Sequence, residues 1–242
     1  HAPWLYQDLG SAIFFYGIYS LSGFTGLVLM KGLIFLLTMG LLAWLSLKIY
    51  QAPLSLTCVL LALAIPIMEF RFTERPQVFS FFIPLLILVI LETHRKKRCS
   101  IYWIIPLTLL WANFHRGVLI LPVMLFLYWL SSLPKLTLLY DPKRSKEAFW
   151  ALLGGTLTTF FTPFGFASIE GSLNLTTASS FRTHLSEWAP TTWDSIIATT
   201  PLTLLFFLLT LIGLLVGTKK QHIWHISLVG FACLLLSRGI RM

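Results

Sequence analysis

Charge is what this chain has least of. Only 11% of its 242 residues are charged while 57% are hydrophobic, and a soluble domain of this length could not hide so much apolar surface. Cysteine is scarce too. Cys58, Cys99 and Cys233 are odd in number and widely spaced, a set that suits neither a disulfide framework nor a metal cluster. No glycine-rich phosphate loop follows a strand pattern, metal ligands do not cluster, and no serine sits in a nucleophile elbow, so ATP hydrolysis and structural zinc are set aside. The net charge of +9 does not indicate nucleic acid, because the basic residues form short groups between apolar runs and no stripe with interleaved aromatics.

What is present is a series of apolar runs. A spanning helix needs about 20 mainly apolar residues, and the runs predict spans near 26–47, 54–69, 77–92, 101–115, 117–133, 148–164, 201–217 and 222–237. The expected fold is therefore all-α, a polytopic transmembrane bundle of about eight spans forming a single domain over 1–242. Residues 4–22 are apolar and aromatic but broken by Asp8, Gly10 and Gly17, and are read as an interfacial or re-entrant helical segment. The chain opens His1-Ala2-Pro3 and stops just after an apolar run, so it is expected to be a fragment of a longer one. No signal-peptide pattern is visible.

The loops between spans sort by charge. Every lysine but Lys31 falls in one alternate set, which the positive-inside rule assigns to the cytoplasm. The other face, external or periplasmic, collects Asp8, Glu69, Arg71, Glu74, Arg75, His115, Arg116, Glu170, Arg182, His184, Glu187, Asp194, Arg238 and Arg241. His222 and His225 fall on the lysine side, away from His115 and His184, which argues against haem.

Three external segments carry candidate chemistry. In Glu69–Gln77, four charges beside a bilayer need partners or a polar cavity, and an arginine fork matches a phosphate. Glu74 and Arg75 are thus candidate lipid-phosphate binders; the alternative is a self-paired connector or contact with bulk headgroups. In Trp111–Gly117, Asn113 could orient a sugar hydroxyl, His115 move a proton and Arg116 neutralise a phosphate, unless the turn merely satisfies its own backbone. The loop over 165–200 is long, and loops of that length are usually functional or disordered. Within it Glu187 beside Trp188 reads as an acid, base or sugar-orienting carboxylate on an aromatic platform, or else as a partner for Arg182. The Asn174-Leu175-Thr176 sequon matters only in a eukaryote.

Trp4–Asp8, Glu74-Arg75-Pro76-Gln77-Val78-Phe79-Ser80, Trp111-Ala112-Asn113-Phe114-His115, Thr162-Pro163-Phe164-Gly165 and Ser186-Glu187-Trp188-Ala189-Pro190 occur in this order. The series resembles uncharacterised bacterial multi-span proteins related to the GT-C glycosyltransferases, and the resemblance covers nearly the whole chain. It implies a GT-C-like helical fold in the bacterial inner membrane, an external catalytic cavity, and transfer of a sugar from a polyprenyl-phosphate donor. It also implies a catalytic carboxylate in the first external loop, where Asp8 is the visible acid. Arg116 departs from the small residue expected at its position. Asp8, His115 and Glu187 are then the catalytic candidates, and Glu74, Arg75, Asn113, Arg116, Trp188, Arg238 and Arg241 the substrate-binding ones. The expected partners are membrane lipids, a polyprenyl-phosphate-linked sugar and neighbouring membrane proteins. A divalent ion on Asp8, Glu74 or Glu187 would leave little local signature in sequence. Two other classes stay open: a non-enzymatic subunit or scaffold packing through its aromatic helices, and a lipid or solute transporter, which would be expected to carry charges within its spans.

Overall fold

The computed structural model of the chain describes residues 8–69, 72, 74–97, 99–134, 141–167, 170, 208 and 225. They are 83% helical, with no strand among them. Helix α1 covers Leu9–Trp44 and runs on through a π-helical turn, Leu45–Ile49. After it come α2 (Leu54–Glu69), a 3-10 turn at Pro76–Val78, α3 (Phe79–Lys97), α4 (Ile104–Phe114), a second 3-10 turn at Arg116–Ile120, α5 (Leu121–Leu130) and α6 (Pro142–Thr158).

Backbone chemistry explains most of the boundaries. At Gly23 (φ 59°, ψ −154°) α1 is interrupted, a conformation in which only glycine is unstrained. The break divides residues 9–22 from the longer limb; Gly10 and Gly17, expected to interrupt this segment, lie in regular helix. Helix α6 starts six residues before the expected span at 148. Asp141 caps it, accepting from Lys143 N at 3.1 Å and Arg144 N at 3.5 Å, with Pro142 at the first helical position. Helix α3 outruns its expected end and keeps Glu92, His94 and Arg95 in the helix.

Two of the helical stretches, Leu9–Ile49 and Pro76–Lys96, are long and apolar enough to cross a membrane. Both keep most of their surface outside the protein interior; Leu21, Leu29 and Leu36 are 86%, 68% and 68% exposed. Water would not tolerate such faces over so many turns, so the two helices suggest a membrane protein. Eight spans are not found among the described residues. Helices α2, α4 and α5 are apolar but shorter, and the expected spans over 201–217 and 222–237 lie outside the described residues.

The core is built around α3. Val78, Ile83, Ile87 and Leu91 are buried with Ile104 and Trp111 from α4 and Leu121 and Leu125 from α5. Against α4 and α5 lies α6, in close approach at Gly154 and Gly155: a Cβ on Gly155 would stand 2.7 Å from Leu125 Cδ1, and one on Gly154 2.9 Å from Ile105 Cδ1. Polar residues segregate to the two ends of α3, with Asp8, Glu74, Ser80 and His115 near its start and Tyr50, Glu92, Arg95, Lys96, Arg144 and Glu147 near its finish.

Candidate active site at the Asp8 end of the bundle

Asp8 occupies the N-cap of α1, where an aspartate side chain ordinarily accepts helix N–H groups. Here it does not. Its backbone carbonyl takes Ala12 N at 3.0 Å and Ser11 Oγ at 2.8 Å, while the carboxylate turns to Arg116 and accepts that residue's backbone N–H. Oδ1 is buried and has no hydrogen-bond partner among the described residues. Burial raises the Asp8 carboxyl above the ordinary aspartate range, and the Arg116 charge and N–H oppose that rise.

The approach of α1 to the 113–117 turn is close. A Cβ on Gly10 would stand 2.7 Å from the Asn113 carbonyl oxygen, and aromatic rings seal the contact, with Phe79 at 4.6 Å from Phe114 and Phe14 at 5.7 Å from Phe79. Asn113 is occupied in packing. Its Nδ2 donates to Leu109 O at 2.9 Å and to Phe161 O at 3.0 Å, tying the end of α4 to the segment after α6.

His115 is buried, 9% exposed, and its surroundings define its protonation. Gly117 N–H donates to Nδ1 at 3.0 Å, and Ser80 Oγ lies 2.6 Å from the same nitrogen. Trp111 Nε1–H donates to Ser80 Oγ at 2.8 Å. Desolvation, then the neighbouring Arg116 charge, lowers the imidazole to about 4, so the ring is neutral at physiological pH. Nothing local in the sequence around Ser80 says that its hydroxyl reaches residues 111 and 115.

The connector before α3 is anchored separately. Glu74 forms an ion pair with Lys31, the lysine that stands apart from the others, and Phe72 packs between Phe35 at 5.2 Å and Phe81 at 5.5 Å. Glu74 is therefore engaged by Lys31. Arg75 follows it in extended backbone at the start of the Pro76–Val78 turn. No group of three or more His, Cys, Asp or Glu side chains among the described residues is placed to hold a metal. Glu187, Trp188, Arg238 and Arg241, like Arg71, Arg182, His184 and Asp194, lie outside the described residues.

The opposite end holds a polar network for which the sequence reading made no provision. Glu92 is fully buried, bonded to Arg95 Nη2 at 2.6 Å and to His225 Nε2 at 3.0 Å. His94, also buried, lies 2.8 Å from Tyr128 Oη and 2.9 Å from Glu147 Oε2. Arg144 Nη1 donates to Arg95 O at 3.4 Å, and Lys96 donates to Ile49 O while lying 5.0 Å from the Tyr50 ring centroid. A cavity of about 280 Å³ opens there, lined by residues 99–102 with Asp141, Lys143, Arg144 and Glu147, far along α3 from Asp8. Its charges are balanced, two of each sign, and Asp141 is spent on capping α6. The signal for this network was a glutamate and a histidine closing an apolar run, Glu92-Thr93-His94, beside the basic cluster. Comparison of the chain with family models, with curated proteins and with solved structures returns no match to any of them.

Proposed function

We propose that the chain is a membrane glycosyltransferase of the bacterial inner membrane, moving a sugar from a polyprenyl-phosphate donor to a hydroxyl acceptor on the external face. The acceptor oxygen attacks the anomeric carbon, the carbon–oxygen bond to phosphate breaks with its electron pair staying on the phosphate, and Asp8 takes the hydroxyl proton. Arg116, with Arg75, balances the charge of the departing polyprenyl phosphate. Glu187 and Trp188 would orient the acceptor, and Arg238 and Arg241 would join the phosphate site. One observation carries the reading: a buried carboxylate with an unbonded oxygen stands against an arginine from a distant part of the chain. A carboxyl raised above the ordinary aspartate range is a stronger proton acceptor than a free aspartate. The resemblance of the ordered motifs to GT-C-related proteins supplies the substrate class.

The test is mass spectrometry of lipids that co-purify with the protein and with Arg75→Ala and Arg116→Ala variants. A polyprenyl phosphate or its sugar conjugate, depleted in both variants, is the expected result, and the conjugate then serves as substrate for a transfer assay. In that assay Asp8→Asn should lower the rate by roughly 10² or more, the ordinary loss for removing a general base. Only bulk phospholipid, unchanged by either substitution, would favour a non-enzymatic membrane scaffold.

A further inference from the structure

His115 invites a role as general base, yet its hydrogen bonds leave it unsuited to one. A ring nitrogen that accepts a backbone N–H carries no proton, so the Gly117 bond makes Nδ1 the acceptor and puts the imidazole proton on Nε2. Ser80 fits the same assignment. Its oxygen accepts from Trp111 Nε1–H, leaving its own hydrogen to point at Nδ1, 2.6 Å away. Two donors therefore converge on one lone pair, and a proton moved to Nδ1 would face the Gly117 N–H directly. The bonds are close-set: a Cβ at position 117 would stand 2.7 Å from Ser80 Oγ and 2.9 Å from His115 Nδ1, so a larger residue there would have to displace that pair. Nε2 differs. It makes no hydrogen bond among the described residues and is not sealed from its surroundings, on a ring adjoining Arg116 and the turn that meets Asp8.

We infer that His115 acts as a fixed neutral hydrogen-bond donor, offering Nε2–H to an anionic phosphate oxygen, with Ser80 and Trp111 as positioning residues that hold its tautomer. A neutral imidazole beside an arginine adds direction without adding charge. The ligand class rests on the glycosyltransferase reading; the tautomer does not.

The two parts are measured separately on full-length protein labelled with ¹⁵N-histidine in detergent micelles, His115 being assigned from the signal missing in His115→Gln. The expected spectrum has a protonated, pyrrole-type Nε2 and an unprotonated, pyridine-type Nδ1 shifted by its donors. A protonated Nδ1, or an even mixture of tautomers, overturns the assignment. Ser80→Ala should move the Nδ1 resonance toward that of a free acceptor, and Ser80→Thr should restore it; an unmoved Nδ1 in Ser80→Ala removes Ser80 from the role. Farnesyl phosphate and inorganic phosphate are then titrated, with binding followed independently by equilibrium dialysis. A shift at Nε2 with farnesyl phosphate, and an affinity lowered roughly tenfold or more in His115→Phe, is expected for a hydrogen bond to a charged group. The same shift with inorganic phosphate would assign the bond to the phosphate group itself. Farnesyl phosphate that binds and leaves Nε2 unmoved overturns the donor role while the glycosyltransferase reading stands. Failure of farnesyl phosphate to bind overturns that reading and the ligand class with it, and leaves the tautomer decided by its own spectrum.

Discussion

At Gly10 a hydrogen atom is all that fits between α1 and the Asn113 carbonyl. The obstacle is backbone, which has little room to yield, so Gly10→Ala should lower the unfolding midpoint in detergent by the equivalent of about 1–3 kcal/mol and pull Asp8 away from Arg116. Gly17, in the same helix, has open space around it, and Gly17→Ala should be neutral or stabilising by up to about 1 kcal/mol through helix propensity. His115 carries a second residue-scale prediction. Its folded-state pKa of about 4 lies below the ordinary histidine value, so the neutral ring stabilises the fold fully above pH 6.5. That contribution is lost as pH falls from 6.5 toward 4, in total roughly 3 kcal/mol. Denaturant midpoints measured across this window should fall steeply for the native protein and less steeply for His115→Gln. Asp8 works in the opposite sense: its raised carboxyl pKa favours the protonated form in the fold, so acidification relieves the cost of burying it. The Gln variant isolates the histidine component from that gain.

At the scale of elements, α3 is a strut with a polar joint at each end. The joint at Glu92 is buried and is shared with Arg95 and His225. Removing one partner of such a set strands the other charges, so Glu92→Ala should cost about 3–5 kcal/mol, read as a loss of midpoint at neutral pH. Lys31→Ala, at an ion pair part-exposed on both sides, should cost about 1 kcal/mol or less. How well the sequence exposed these elements depends on the range of the interactions that set them. Local signals worked in part: the run at 54–69 begins and ends where α2 does, but Gly10 and Gly17, expected to break the entry, lie in regular helix, and the break falls at Gly23. The start of α6 was equally readable in Asp141-Pro142, a cap followed by a helix-starting proline, but hydropathy alone passed over it and put the start at 148. Partnerships across the fold were not readable. Nothing near Ser80 announces Trp111, and nothing near Lys31 announces Glu74, because these contacts are products of how helices pack and not of spacing along the chain.

For the molecule as a whole, charge separation along the sequence becomes separation in space. Asp8, Arg116 and the Lys31–Glu74 pair lie at one end, and Lys96, Lys143 and Arg144 at the other. If α3 crosses a bilayer, the two ends face different compartments. In a background with Cys58, Cys99 and Cys233 replaced, single cysteines at the exposed positions Ser100 and Phe161 should therefore react with a membrane-impermeant maleimide from opposite sides. Labelling of both from one side would refute the spanning arrangement.

The π-helical turn Leu45–Ile49, closed by Lys96 on the Ile49 carbonyl, also constrains what lengths of chain this architecture can accept. Such a turn amounts to an α-helix holding one extra residue. Deleting a residue from it would restore regular α-helix and rotate everything downstream by about 100° relative to the limb before it. Leu45 and Ile49 would leave their packing against Leu85, and the Ser46–Thr57 hydroxyl bond of 2.8 Å would lose its register. The spacing between the break at Gly23 and the start of α2 is thus a counted length, unlike that of an ordinary surface loop, and a family that keeps this fold should hold the number of residues across it constant even where its exposed positions vary.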